Sequence, residues 1–405
     1  MATETLNVRT GWRTVRELPR AVVVLVVGNA VNRMGSYVQI FLMLYLTSIG
    51  IHPASAGIVL TGFGVGTVAG VLVGGVVVDR VGPKATIISS TCVSGLLVGS
   101  LALTHTYGVL LALATACGFV ATLYRPAASW MLAELTPASR LVMTTATYRL
   151  GLNIGATLAP LIGVFLATRS YKLVFLTDAV TSIAFALLVA TQLPSLRPAR
   201  PESGKPGTYL DVVRDRRFSF FLGAQFLTSF AEVQYLAILP LEVKARGLPI
   251  AVYGTIVAIN GALVILLELP LTPYVQRLPM RSAVSLGCTA IGVGLALCGL
   301  RVGVWILFLG ALVWTMGEVV SAPSVSAYPA LVGPRALRGR YIGAFSTSQT
   351  LGYALGPSAG AALFQYYGAG TWALCGALGL LAGAGMLASV LRPGAMAERV
   401  AASQA

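Results

Sequence analysis

Residues 56–103 read AGIVLTGFGVGTVAGVLVGGVVVDRVGPKATIISSTCVSGLLVGSLAL. Two apolar runs, 56–78 and 85–103, flank the charged turn Asp79-Arg80-Val81-Gly82-Pro83-Lys84. Crossing the hydrocarbon core of a bilayer takes about 20 residues of helix, and each run supplies that length. Two such runs joined by a few residues form an antiparallel hairpin of membrane helices. Runs of the same kind recur at about 21–48, 107–133, 141–167, 172–193, 218–241, 250–275, 283–300, 303–330, 341–366 and 371–391. The predicted fold is an all-α integral membrane protein with twelve transmembrane helices.

Composition agrees. Of 405 residues, 56% are apolar and 10% charged, against about 25% charged in a soluble domain. The 45 glycines suit helices that pack closely in lipid. A soluble enzyme, a disordered tail and a secreted disulfide scaffold are excluded. The five cysteines, Cys92, Cys117, Cys288, Cys298 and Cys375, sit in apolar runs without metal-ligand spacing. No cofactor or metal is expected. The polar, Arg-bearing N-terminus lacks a cleavage site behind a short apolar core, so the first run is expected to be a retained helix.

The net charge of +15 is an orientation signal. One set of loops holds most of the cations: Arg9, Arg13, Arg16 and Arg20 before the first span, Arg80 and Lys84, Arg140, the group from Arg197 to Arg217, Arg277 and Arg281, Arg335 to Arg340, and Arg392 and Arg399. The opposite loops hold Arg169, Lys172, Lys244, Arg246 and Arg301. This bias predicts a multi-pass protein of the cytoplasmic (inner) membrane with both termini inside, and no nucleic-acid partner.

Residues 194–217, with four prolines, Gly204, Gly207 and mixed charge, read as a cytoplasmic linker between an N-terminal six-helix bundle (1–193) and a C-terminal one (218–405). The halves are related. A single ungapped offset lays Pro126 on Pro323, Ser129 on Ser326, Ala133 on Ala330, Pro137 on Pro334, Gly155 on Gly352, Pro160 on Pro357 and Gly163 on Gly360. It also lays Val78–Lys84 on Val275–Arg281. Both copies start on the same membrane side, which makes a parallel repeat.

Gly75-x-x-x-Asp79-Arg80-x-Gly82-x-Lys84 resembles the loop motif of the major facilitator superfamily. A carboxylate there can dock on the positive N-terminus of a neighbouring helix. The resemblance implies that Asp79 docks at the start of span eleven near Arg340 and latches the cytoplasmic side. Span five carries Arg149-x-Gly151-x-Asn153-x-Gly155-x-x-x-Ala159-Pro160-x-x-Gly163, and span eleven carries Gly352-x-x-x-Gly356-Pro357-x-x-Gly360. Both are similar to the helix-bend motif of proton-coupled drug exporters; span five departs from it at Ala159 and Val164. The buried Arg of span four in that group is absent from Ala114-x-x-Cys117-Gly118, with Arg149 or Arg33 as substitutes. Across nearly the whole chain, the pattern resembles the twelve-span multidrug/proton antiporter branch. That resemblance implies alternating access; a monomer is the expected working unit.

An ionisable residue inside a span is costly and therefore a functional candidate. Glu232 falls in the middle of span seven and Glu318 in the middle of span ten; the repeat pairs them with Gly35 and Ala121. A buried carboxyl can take up a proton from outside and release it inward, or attract a cationic substrate. Arg33, with Asn29 and Asn32, falls on span one, and Arg149, with Asn153, on span five. Each arginine needs a carboxylate or carbonyl partner: Glu318 or Glu232 across the cavity, or a local pair. Asp178 and Glu268, near span ends, read as local pairs or water contacts, and Arg125 as a snorkelling side chain. Tyr37, Phe230, Tyr235, Trp314 and Tyr353 form a candidate aromatic wall. His52 and His105 fall in outer loops, which leaves no nucleophile–base pair for an enzyme.

These readings converge on proton-driven export of small amphipathic or apolar compounds. A proton-coupled importer of a sugar or other metabolite, or a non-transporting sensor, uses the same parts.

Overall fold

In a computed structural model, described for residues 17–197, 208–392, 394, 395 and 398, the chain is helical, with no strand among the described residues. Arg9, Arg13, Arg16, Arg200, Lys205, Arg399 and the centre of the linker lie outside the described residues. The helices are α1 (Arg20–Met34), α2 (Val38–Ser48), α3 (Pro53–Val81), α4 (Pro83–Leu101), α5 (Tyr107–Glu134), α6 (Leu141–Ala167), α7 (Tyr171–Gln192), α8 (Tyr209–Arg214), α9 (Arg216–Glu232), α10 (Gln234–Ala237), α11 (Leu239–Ala245), α12 (Ala251–Val275), α13 (Met280–Leu297), α14 (Trp305–Val332), α15 (Arg338–Tyr367) and α16 (Gly370–Ser389).

Each predicted span coincides with a helix or a broken helix. Nine described helices are long and apolar enough to cross a membrane, and the bent pair over Arg216–Ala245 makes a tenth. Span one is split into two shorter helices, and α15 is polar along much of its length, with Arg338 and Arg340 at its start and Ser, Thr, Gln, Gly, Pro and Tyr beyond.

Local signals set the ends. Pro53 opens α3, where the Nδ1 of His52 accepts from the Ala54 N–H at 3.3 Å. Gly82, at φ 98°, stops α3 in a conformation other residues rarely adopt, and Pro83 starts α4 at once. Asp215 caps α9 by accepting from the Phe218 N–H at 3.2 Å.

Spans one and seven are not continuous, contrary to the sequence reading. The first breaks at Gly35–Tyr37; the second breaks after Glu232 and bends by 43° before Leu239. The repeat places these breaks at equivalent positions. In span one the freed backbone N–H groups of Tyr37 and Val38 are taken by Asp178 of α7, at 2.9 and 3.4 Å. An in-membrane break persists only where such partners exist.

Helices α1–α7 pack among themselves, as do α9–α16. Close approach depends on glycine: Gly66, Gly70 and Gly74 lay α3 against the α5 backbone at Thr115, Phe119 and Leu123. The halves meet through α3 with α15, α5 with α15, and α6 with α12 and α14. Leu141–Tyr148 and Arg338–Gly343 are buried throughout, whereas Ile154 and Leu161 farther along α6, and Leu355 on α15, are exposed. The halves therefore close on each other at the end that carries the basic loops.

Candidate functional site

At that basic end, Asp79 closes α3 onto α15. Its carboxylate accepts from the Gly339 N–H at 2.7 Å, from the Arg340 N–H at 3.2 Å, and from the Arg340 guanidinium at 2.7 Å. The contact is tight because a Cβ on Gly75 would stand 2.6 Å from the Gly339 carbonyl oxygen and the Tyr209 hydroxyl. Glu134 of α5 adds a second bridge, accepting from Arg338 at 2.6 Å. Arg80 is exposed. Lys84 does not reach α15: its ammonium donates to the Leu193 carbonyl at 2.6 Å and secures the end of α7.

About two turns farther into α6 stands Arg149. Its Nε donates to Glu268 of α12 at 2.7 Å and its Nη2 to Glu318 of α14 at 3.3 Å. Asn153, one turn on, donates to the other Glu268 oxygen at 3.4 Å. One guanidinium from the first half is held by two carboxylates of the second, and its fork geometry suits two acceptors at once. Glu268 is fully buried; the side chains of Arg149 and Glu318 keep 18% and 19% exposure. The latter two line a cavity of about 50 Å³ with Gln225, Glu232, Gln349 and Tyr353. Tyr353 donates its hydroxyl to Glu232 at 2.9 Å.

By its position in the sequence, Glu268 stands near a span end, where a local or water partner is expected. The structure corrects this: packing of α6 on α12 buries it against the other half. Gln225 was also missed, although Gln225, Thr228 and Glu232 share one helix face by their spacing.

Arg33 meets neither Glu232 nor Glu318. It lines a separate cavity inside the first half with Asn32, Asp178 and Arg125, so Arg125 belongs to this cavity as well. Asn32 also donates to Ser182 of α7 at 3.1 Å. Asn29 is buried against α6, donating to the Tyr148 hydroxyl at 2.6 Å, and lines neither cavity.

The aromatic wall disperses. Tyr37 is buried against Phe41 at the span-one break. Trp314 is 1% exposed in the core of the second half, stacked on Tyr235 with centroids 5.7 Å apart. Phe230 packs beside Phe226. Of the five rings, Tyr353 alone lines the acidic cavity.

The two glycine rows face the broken spans. Gly151 and Gly155 lie against Ala30 and Arg33 of α1, and Gly163 against Phe41 of α2. Gly352, Gly356 and Gly360 lie against Ser229, Phe230 and Gln234. Gln234 donates to the Gly356 carbonyl at 2.9 Å. Pro160 and Pro357 stand inside their helices.

Comparison with known proteins supplies the family. The model of the Major Facilitator Superfamily matches residues 25–283 and 221–404. A Na(+), Li(+), K(+)/H(+) antiporter of Planococcus maritimus is 25% identical over 81% of this chain and 86% of its own length. The multidrug resistance protein MdtH of Edwardsiella ictaluri is 26% identical over 76% of this chain and 78% of its own. Among solved structures, the human organic anion transporter MFSD10 (TETRAN) superposes with a TM-score of 0.74 at 16% identity, covering 91% of this chain and 99% of that one. With a duplicated helical fold, an Asp79 contact at the basic end and a family match along nearly its whole length, the chain belongs to the major facilitator superfamily and is a multi-pass membrane transporter, not an enzyme.

Proposed function

We propose that the chain exports small amphipathic or apolar compounds in exchange for protons, by alternating access in the cytoplasmic membrane. Its termini and basic end face the cytoplasm, and a single chain is the working unit. The two bodies that move are residues 1–193 and 218–405, joined by the linker 194–217. One observation carries the reading: among the described residues, the only cation lining the acidic cavity, Arg149, comes from one half, and its two carboxylate partners come from the other.

Such a bridge is an electrostatic clasp whose strength depends on protons. Ionised Glu268 and Glu318 hold Arg149 and keep the basic end shut. Glu318 and Glu232, which both line the cavity, take protons from outside. Neutral carboxyls hold a guanidinium far more weakly, so protonation lets the halves part at the basic end. There the acids lose their protons to the cytoplasm and the compound enters. The ionised acids then draw Arg149 back, and the compound leaves on the far side. The Asp79 latch completes the closed state. Proton exchange in the antiporter of Planococcus maritimus and drug resistance in MdtH support this direction.

Cells with and without the protein, loaded with fluorescent amphipathic dyes of positive, zero and negative charge, test the proposal. Lower accumulation of at least one dye, restored when the proton gradient is collapsed, is expected. Equal accumulation of every dye contradicts export; higher accumulation that needs the gradient assigns import instead.

A further inference from the structure

The acidic cavity has a twin. The cavity in the first half, of about 80 Å³, is lined by Thr91, Ser94, Ala121, Tyr124 and Arg125; the offset that relates the halves lays these on Cys288, Ile291, Glu318, Ser321 and Ala322, which all line the acidic cavity. Duplication therefore left one pocket in each half, and their charges have been exchanged. Where the second half has Glu232 and Glu318, the first has Gly35 and Ala121. Where the first has Arg33 and Arg125, the second has Phe230 and Ala322.

The balance in the first cavity is positive. Among the described residues, neither Arg33 nor Arg125 has a carboxylate within 4.0 Å, although the other spans' arginines, Arg149 and Arg340, do. Asp178, the acid of this cavity, is committed to the Tyr37 and Val38 N–H groups and to Ser182. Two guanidinium groups in a partly enclosed, hydroxyl-lined pocket are an unmatched pair of forked donors, and such donors fit a carboxylate or a phosphate. The space admits a head group with a few waters, at roughly 10–15 Å³ each. It does not admit a whole drug-sized molecule, so the apolar body must lie outside it. Arg125 is exposed.

We infer that this cavity is an anion site, in which Arg33 and Arg125 hold the carboxylate of an amphipathic organic acid carried by the transporter. The inference names the substrate class of the export proposed above and rests on it only for the transport step. Binding itself needs no gradient.

The test uses the purified full chain in lipid nanodiscs with three probes that share one apolar body: phenylbutyrate, phenylbutylammonium and phenylbutanol. Phenylbutyrate is expected to bind at least about tenfold tighter than the alcohol, the scale of a charge-assisted contact. Arg33→Gln and Arg125→Gln should each remove that preference, Arg125→Lys should keep part of it, and Arg301→Gln, at an exposed arginine that lines neither cavity, should leave it unchanged. Should Arg33→Gln fail to fold, the exposed Arg125 position decides alone. Equal binding of acid and alcohol, or an acid preference that survives both Gln variants, overturns the assignment. So does binding of chloride or inorganic phosphate through these arginines without binding of phenylbutyrate, since the site would then serve a free inorganic ion. A loss of gradient-driven export with intact phenylbutyrate binding would sink the coupling scheme and leave the anion site standing.

Discussion

Replacing Arg149 with Met is expected to abolish transport and to destabilise the protein by about 3–5 kcal/mol, the usual cost of breaking a buried ion pair by removing one partner. The reason lies in Glu268. Its carboxylate is fully buried and accepts from Arg149 at 2.7 Å; without that cation, Asn153 at 3.4 Å is the one side-chain donor left to it among the described residues. A carboxylate left so must find a proton or water, and α6 must shift on α12 to admit either. Arg149→Lys should fall between, because one ammonium cannot reproduce the two separate donors that reach Glu268 and Glu318. The double variant Arg149→Met/Glu268→Gln removes both charges. It should recover most of the lost stability and none of the transport. Thermal unfolding in detergent, followed by efflux from vesicles, separates the two effects. A melting temperature for Arg149→Met equal to that of the parent would mean that the bridge does not hold the halves.

Glu318→Gln should do the reverse: spare the fold and remove the coupling. The amide is isosteric, its oxygen can still accept from Arg149, and Arg149 keeps its shorter bond to Glu268. Stability should therefore stay within about 1 kcal/mol, the scale of one net hydrogen bond. What the amide cannot do is take up and release a proton. Efflux driven by a pH gradient should fall to the level of protein-free vesicles, while substrate exchange without a gradient persists. Glu232→Gln, with the Tyr353 hydroxyl still able to donate to it, should also fold. Full gradient-driven efflux by Glu318→Gln would remove this residue from the mechanism.

What was legible in the sequence follows from what each feature depends on. The helical membrane fold rests on run length and on a repeat that survives without gaps from Val78 to Gly163, and both are local records. The residues that meet at the basic end could be named because Asp79 stands in a recognisable loop. The breaks in spans one and seven were hidden: Gly35-Ser36-Tyr37 barely disturbs hydropathy, and the group that stabilises the first break, Asp178, is far away in sequence. Glu268 was misjudged for a related reason. Its place near a span end, beside Pro270 and Pro273, suggests water, whereas its surroundings are set by contact with the other half. The aromatics show the same limit. Trp314 and Tyr353 are alike as residue types, and only packing sends one to the core and the other to the cavity. The charge exchange between the twin pockets was written in the repeat, but only the cavities give it meaning.

The claim on which the rest depends is that carboxylate charge clasps Arg149 and keeps the basic end shut. Val81 and Leu278 are exposed, repeat-related and on opposite halves at that end, so spin labels at Val81→Cys and Leu278→Cys, in a Cys92→Ser background, report its opening. Distances measured by pulsed electron resonance in nanodiscs should be short and narrow at alkaline pH. They should gain a longer population in acid, and in Glu268→Gln/Glu318→Gln the longer population should be present at both. One unchanged short distance in acid, in alkali and in the double variant would contradict the account.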